Sequence, residues 1–347
     1  MRIFLTGATG FLGMKIAGQL VNEGHEVLLF VRNKVKAQQI VQSIDKDKRS
    51  SLYIVEGELT KPSLGLNEET INQWKGRVDC MVHSAALLSF NPLDDEKVYK
   101  VNVIGTEHAL QAAEQIGCKS FIYVSTAYTV GMDNEGHELL YSMDRKFCNS
   151  YERTKCIAEY LVMSYSTSMS IQIVRPSIII GDSKTGEAQT SFGLYGILRS
   201  LRILKRRMER KPQTDVSPFR LLLDGQSASN IVPVDYVAKV AMAACLYGEN
   251  RGIYHATNPN PPLQKDVFEL VKEHLQMPEL ELVDYQQKDL LRADELSFNE
   301  PLAVFKPYLS RTVNFQCPET EQLLKKQNLK LLHMDEKMLK RIINGFN

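Results

Sequence analysis

The sequence predicts a doubly wound α/β architecture: a parallel sheet covered by helices on both faces, with a smaller, mostly helical lobe attached. Three observations carry this. Short β-branched runs alternate with longer helix-period segments through the first half of the 347-residue chain. Those runs are apolar throughout rather than alternating, which marks strands buried on both faces. A glycine-rich turn stands between the first run and the first helical segment, where such sheets bind ligands.

The elements follow in order. Strands are read at 3–6, 26–31, 52–55, 79–83, 121–125 and 171–174. Helical periodicity fills 12–22, 33–44, 102–116 and 151–166. Strands with crossover helices between them build a parallel, Rossmann-type sheet. After Gly181 the alternation fails. A loop over 181–190 leads into a basic helix over 193–210; 230–232 reads as a return strand, 234–247 as a helix and 252–255 as a short strand. Past Asn258 the pattern is helical, with prolines at 261, 262, 301 and 307. The expected division is a dinucleotide-binding domain over 1–180 and 231–257, and a C-terminal substrate-binding lobe over 181–230 and 258–347. One core rarely grows beyond roughly 250–300 residues, which agrees with two parts.

Composition excludes several classes. The chain is 44% hydrophobic and 24% charged, outside the range of a disordered protein. With 42 basic and 41 acidic residues it is no global neutraliser of nucleic acid. The six cysteines (Cys80, Cys118, Cys148, Cys156, Cys245 and Cys317) form no CxxC pair and no metal spacing, so they read as reduced thiols. A strand pattern begins at Arg2 with no secretory leader before it, and no apolar run approaches a membrane span; a cytoplasmic protein is expected.

The turn Thr6-Gly7-Ala8-Thr9-Gly10-Phe11-Leu12-Gly13 has GxxGxxG spacing. Gly7 permits the tight turn, Gly10 lets the backbone approach a pyrophosphate, and Gly13 lets the helix pack on the sheet. Free N–H groups at the helix start then meet the phosphates. The second strand ends at Val31-Arg32-Asn33. An acidic residue there would accept from a ribose 2′-hydroxyl, whereas Arg32 suits a 2′-phosphate, and Asn33 adds a neutral donor. NADP(H) is therefore expected rather than NAD. Glu58, after the third strand, either accepts from the adenine amino group or is an ordinary surface glutamate.

Tyr151 and Lys155 lie four residues apart, on one helical face. A neighbouring ammonium favours the phenolate and brings a tyrosine closer to working range. Thr126 follows the fifth strand at the carboxyl end of the sheet, where its hydroxyl can donate to a substrate carbonyl oxygen.

Together these residues resemble the short-chain dehydrogenase/reductase superfamily in its extended form. The resemblance spans TGATGFLG at 6–13, His83-Ser84-Ala85-Ala86, Val101-Asn102-Val103 with Gly105-Thr106, VSTAY at 124–128, the Tyr151/Lys155 pair and Arg175-Pro176-Ser177. It implies Tyr151 as proton donor, Lys155 as its partner and ribose ligand, and Thr126 as the polarising hydroxyl. It further implies Asn102 as support for the active-site network, and Leu59, Ala85, Ala86 and Pro176 along the cofactor.

VSTAYTVG at 124–131, RPSIIIGDSKTGE at 175–187, NIVPVDYVA at 230–238 and YHATNPNPP at 254–262 look like the thioester reductase and fatty acyl-CoA reductase branch. That branch implies NADPH-dependent reduction of an acyl thioester to aldehyde or alcohol, with CoA or a carrier protein in trans as partner. The segment GELT at 57–60 departs from the branch, where aspartate is commoner. A sugar-nucleotide epimerase or dehydratase, a small-carbonyl reductase, and a non-catalytic dinucleotide sensor are the competing readings. Ile180-Gly181-Asp182-Ser183, in place of Tyr-Gly-Pro, argues against an epimerase, and the intact Thr126, Tyr151 and Lys155 argue against a sensor.

The segment 197–211 puts Ile197, Leu201, Leu204 and Met208 on an apolar stripe. Arg199, Arg202, Lys205, Arg206, Arg207, Arg210 and Lys211 lie on its other faces. It is either a dock for an anionic partner (CoA phosphates, an acidic carrier, a membrane surface) or a solvated face. Cys148 and Cys156 read as packing, and His83 as a satisfied structural histidine. His255 could face the substrate lobe, and Trp74 has no assigned role. Monomer and homodimer both remain open.

Overall fold

The computed structural model describes residues 1–190, 193–209 and 217–346. Arg210 and Lys211 of the basic segment lie outside them. The chain divides into two compact units: 1–177, 234–257 and 315–331 form the first, and 178–233, 258–314 and 332–347 the second.

The first unit is built on β1 (Arg2–Thr6), β2 (Glu26–Val31), β3 (Leu52–Glu56), β4 (Cys80–His83), β5 (Ser120–Val124), β7 (Ser170–Pro176) and β11 (Gly252–Ala256). A two-residue strand, β6 (Glu135–Gly136), lies apart from this sheet. The sheet order is β11-β7-β5-β4-β1-β2-β3, and every pairing is parallel. The order reverses beside β1, which opens a crevice at the carboxyl ends of β1 and β4. On one face Phe4, Leu28, Met81, Phe121 and Ile171 pack with residues of α5 (Gly105–Ile116) and α6 (Ser150–Ser164). Toward the other face lie α1 (Phe11–Asn22), packed on β1 and β2, and α8 (Val234–Tyr247), packed on β5, β7 and β11. Burial on both faces explains why the strands read as unbroken apolar runs.

Helix boundaries follow local chemistry. α1 buries Gly13, Ile16, Ala17, Leu20 and Val21, spaced i, i+3, i+4, i+7 and i+8. α5 ends at Gly117, whose φ of +77° is the left-handed cap that glycine adopts without penalty. Asn149 caps α6 by accepting from the Glu152 N–H (3.0 Å), and the Glu152 carboxylate accepts from the Cys148 N–H (2.9 Å). The helix expected over 102–116 begins differently. α4 (Asp95–Tyr99) runs into a π-helical turn, Lys100–Ile104, before α5. Two short helices, α2 (Lys34–Ser43) and α3 (Glu68–Trp74), complete the edge near β3. Trp74, unassigned from sequence, is buried at the end of α3 edge-on to Tyr53 (5.3 Å).

The second unit is less helical than its sequence implied. β8 (Ile178–Ile180) pairs in parallel with β10 (Ile231–Pro233), and β9 (Phe219–Leu222) with β12 (Leu280–Val283). The segment over 230–232 thus forms a strand but does not rejoin the large sheet; only β11 does. β9 and β12 went unread because four residues carry no legible period. β9 is held by tertiary partners: Glu295, on α10 (Ala293–Asn299), accepts from the Arg220 N–H and guanidinium, while Asn299 brackets Leu222 and Arg220. The core gathers α7 (Leu194–Met208), α9 (Gln264–Leu275) and α13 (Glu336–Asn344) around Leu198, Leu201, Phe268 and Ile342; the short α11 (Lys306–Leu309) lies in the same unit.

One boundary moves. The expected lobe took all of 258–347, but 315–331, with α12 (Pro318–Lys325), belongs to the first unit. Glu138 is the clamp: its carboxylate accepts from the N–H groups of His255, Glu319 and Thr320 and from the Thr320 hydroxyl.

Candidate active site

The glycine turn has the conformation its spacing requires. Gly7 has φ +71°, and a Cβ there would stand 2.7 Å from the Ala85 nitrogen. A Cβ on Gly13 would run into the Gly7 carbonyl oxygen. The Gly10 N–H donates to the Gly7 carbonyl (2.9 Å), which closes the turn. α1 has no side-chain N-cap, so its first N–H groups stay available beside Thr9 and Gly10, which are exposed, and the half-exposed Phe11 and Leu12. This cradle fits the pyrophosphate of a dinucleotide.

Arg32 and Asn33 lie exposed past the end of β2, with Asn33 Oδ1 accepting from the Val35 N–H (2.8 Å). Glu58 is half-buried beyond β3, and its carboxylate accepts from the Thr60 hydroxyl (3.3 Å). Leu59 is buried against Gly105. Ala85 and Ala86 follow β4 beside the Gly7 turn. The Ala85 N–H donates to Thr6 Oγ1 (3.2 Å), and Ser84 donates to the Thr6 carbonyl (2.8 Å).

Tyr151 and Lys155 occupy successive turns of α6, and α6 reaches the end of β5 through Lys155. Its Nζ donates to the Val124 carbonyl (2.6 Å) and lies 4.3 Å from the centre of the Tyr123 ring. Thr126 comes two residues after Val124. Buried there, it accepts from the Tyr128 N–H (3.3 Å), and its hydroxyl lies 3.5 Å from the Pro176 carbonyl. Asn102, in the π-helical turn, accepts from the Leu87 N–H (2.8 Å). Its amide donates to the Leu87 carbonyl (3.1 Å) and to Thr154 Oγ1 (3.3 Å).

The electrostatics depart from expectation at one point. The ammonium was expected to draw Tyr151 toward the phenolate. Instead burial, seconded by the Glu152 carboxylate, pushes the phenol well above its ordinary value. Tyr151 is thus held as a neutral O–H donor. Burial lowers Lys155 to about 7 against an opposing pull from Glu159. Glu159 itself forms a bidentate, fully buried ion pair with Arg175 (2.8 and 2.6 Å). That pair, unread in the sequence, locks α6 to β7; Glu159 stands one further turn along from Lys155, the one periodic signal that could have found it.

His83 is buried and hydrogen-bonded at both ring nitrogens. His255 is buried in the first unit: its Nδ1 meets the Gln316 carbonyl (2.7 Å) and its ring abuts Phe315. Cys156 is buried, and Cys148 is half-buried with its sulfur 3.3 Å from that of Met132. Among the described residues no group of histidines, cysteines and carboxylates could hold a metal, and no helix is long and apolar enough to cross a membrane.

In α7 the buried face is Tyr195, Leu198, Leu201 and Leu204, with Ile197 and Met208 half-buried at its margin. Two of the basic residues are engaged within the unit: Arg202 donates to the Phe346 carbonyl (2.5 Å) and Lys205 to that of Leu275 (2.8 Å). Arg199, Arg206 and Arg207 remain exposed.

Fold and glycine cradle together define a Rossmann-type, nicotinamide-dinucleotide-binding protein. The chain belongs to the NAD-binding male sterility protein family, whose model matches residues 5–241. It is 29% identical over 218 residues to a nonribosomal peptide synthetase-like enzyme of Aspergillus fumigatus, covering 57% of this chain and 15% of that one. It is 27% identical over 305 residues to human fatty acyl-CoA reductase 1, covering 72% of this chain and 55% of the relative. The chain therefore spans only part of the length of these curated relatives. The terminal R domain from the myxalamid PKS-NRPS biosynthetic pathway has the same fold, with a TM-score of 0.80 at 24% identity over 99% of this chain and 90% of that domain.

Proposed function

We propose that this chain is an NAD(P)-dependent oxidoreductase that reduces an acyl thioester, with Thr126, Tyr151 and Lys155 as its catalytic set and NADPH as the preferred cofactor. The observation that carries the reading is Lys155: a buried ammonium on the Tyr151 face of α6, held 2.6 Å from the Val124 carbonyl where β5 leads into Thr126. The names of the relatives supply the substrate class. Arg32, exposed where a 2′-phosphate would lie, favours NADPH. Ala85, Ala86 and Pro176 would flank the cofactor, with Gly7, Gly10 and Gly13 beneath its phosphates.

When bound over the glycine cradle, a reduced nicotinamide would supply hydride for the thioester carbonyl carbon. Thr126 and the neutral Tyr151 phenol donate hydrogen bonds to the carbonyl oxygen as its charge grows. The phenol proton passes to that oxygen, giving a hemithioacetal, and the Lys155 ammonium stabilises the phenolate left behind. Breaking the carbon–sulfur bond then returns the hydroxyl proton to the Tyr151 phenolate and releases aldehyde and a thiolate, which takes a proton from solvent to become the free thiol. A second round would give the alcohol. The thioester would reach the site as an acyl-CoA or on a carrier protein in trans, and the exposed Arg199, Arg206 and Arg207 are the charges an anionic carrier or CoA would meet.

The test is to supply purified protein with NADPH and a long-chain acyl-CoA or acyl-carrier thioester and follow cofactor oxidation. Tyr151→Phe should lower kcat by roughly a hundredfold or more while dinucleotide binding persists. Equal rates in Tyr151→Phe and wild type would remove the assigned role.

A further inference from the structure

A chain of hydrogen bonds runs through the buried centre of the first unit, and its direction can be worked out. Thr106 Oγ1 lies 2.6 Å from the Asn102 carbonyl oxygen. A carbonyl cannot donate, so the single Thr106 hydroxyl hydrogen is spent there. The Thr106 oxygen also lies 3.2 Å from His83 Nε2, and it can only accept from that nitrogen. Nε2 therefore carries a hydrogen. On the opposite side His83 Nδ1 meets Thr6 Oγ1 at 2.8 Å, while that oxygen already accepts from the Ala85 N–H. With Nδ1 bare, Thr6 donates to it and every group is satisfied; with Nδ1 protonated, the Thr6 hydroxyl hydrogen has no partner among the described residues.

The ring stays neutral for an independent reason. It is fully buried, and the titratable groups packed against it are the Lys155 ammonium of α6 and the Tyr123 phenol of β5, whose ring stacks on it at 5.9 Å. Burial first, and Lys155 second, lower His83 to about 3.

The far end of the chain is the catalytic helix. Asn102 sits in a π-helical turn, a local irregularity that often marks functional sites. Its side chain binds the Leu87 backbone and Thr154 Oγ1, and Thr154 donates to the Tyr151 carbonyl (3.0 Å). We propose that His83 is a positioning residue: neutral and protonated at Nε2, it is the central link of a one-directional hydrogen-bond chain that fixes the cofactor-side segment at Ala85 and the first turn of the Tyr151 helix in one frame. This rests on the reading of Tyr151 as the proton donor.

Two measurements test it. In the full-length protein carrying 15N-histidine, with His83 assigned by loss of its signal in His83→Asn, NMR should show a bare Nδ1 and a protonated Nε2, unchanged from about pH 5 to 8. In turnover of NADPH with palmitoyl-CoA, Thr106→Val should lower kcat about tenfold with little change in KM, and Thr106→Ser, which keeps the hydroxyl, should restore it. An Nδ1–H tautomer, titration of His83 within that range, or a Thr106→Val kcat equal to wild type would overturn the proposal. Absence of turnover in the wild-type protein would instead overturn the thioester reading, and the NMR result then decides the histidine chain by itself.

Discussion

Lys155 shows how far one residue's chemistry departs from its free value. Burial holds it near 7, against 10.5 in an exposed chain. The folded state therefore binds fewer protons between these values, and its stability rises with pH through about 7 to 10.5; below 7 the full cost of a buried ammonium is present. The proposed activity runs the other way, because the proposed proton transfer needs the charge. kcat/KM should fall with pH along an alkaline limb centred near 7, and Lys155→Met should flatten the limb along with the rate. A pH profile of kcat/KM checks this, and a limb above pH 9 would contradict it. At this scale the placement of Tyr151 and Lys155 on one helical face, and of Thr126 just past the end of β5, was legible from spacing and strand context. The protonation of Tyr151 was not, since sequence shows the neighbouring cation but not the burial that outweighs it.

Two element contacts hold the site. At α1, Gly13 packs on the Gly7 carbonyl with no room for a methyl group. Gly13→Ala should cost roughly 1–3 kcal/mol of stability and weaken dinucleotide binding, read from thermal unfolding and from quenching of NADPH fluorescence. At α6, Glu159 is joined to Arg175 with both side chains fully buried. Glu159→Ala strands the guanidinium and should destabilise by about 3–5 kcal/mol in denaturant titration. Replacing both members with apolar residues of like volume should recover most of that, because no buried charge is then left unpaired. Long elements with a clear period were legible: the helices α1, α6 and α8 and the strands β1 and β2. The four-residue strands β9 and β12 were not, because α10 side chains hold β9 and β12 pairs with β9, and no local pattern marks either.

The whole molecule carries an acid sensitivity that no single motif announces. His83 and His255 are both buried and neutral, each lowered to about 3 from 6.5, chiefly by burial. Each contributes stability that is complete above pH 6.5 and is lost as pH falls toward 3, on the order of 2 kcal/mol per ring by pH 4.5. Thermal unfolding from pH 7 to 4.5 should show a steep loss, shallower in His255→Gln. The sequence by itself determined the doubly wound sheet, the glycine cradle and the Tyr151–Lys155 spacing, because strand burial, turn conformation and helical period are local and leave a local pattern. Only the tertiary structure decided that 315–331 returns to the first unit, that β10 leaves the large sheet, and that α7 spends Arg202 and Lys205 on backbone carbonyls. Each of these rests on a hydrogen bond or strand pairing between residues far apart in the chain, and such a contact writes no period into either partner.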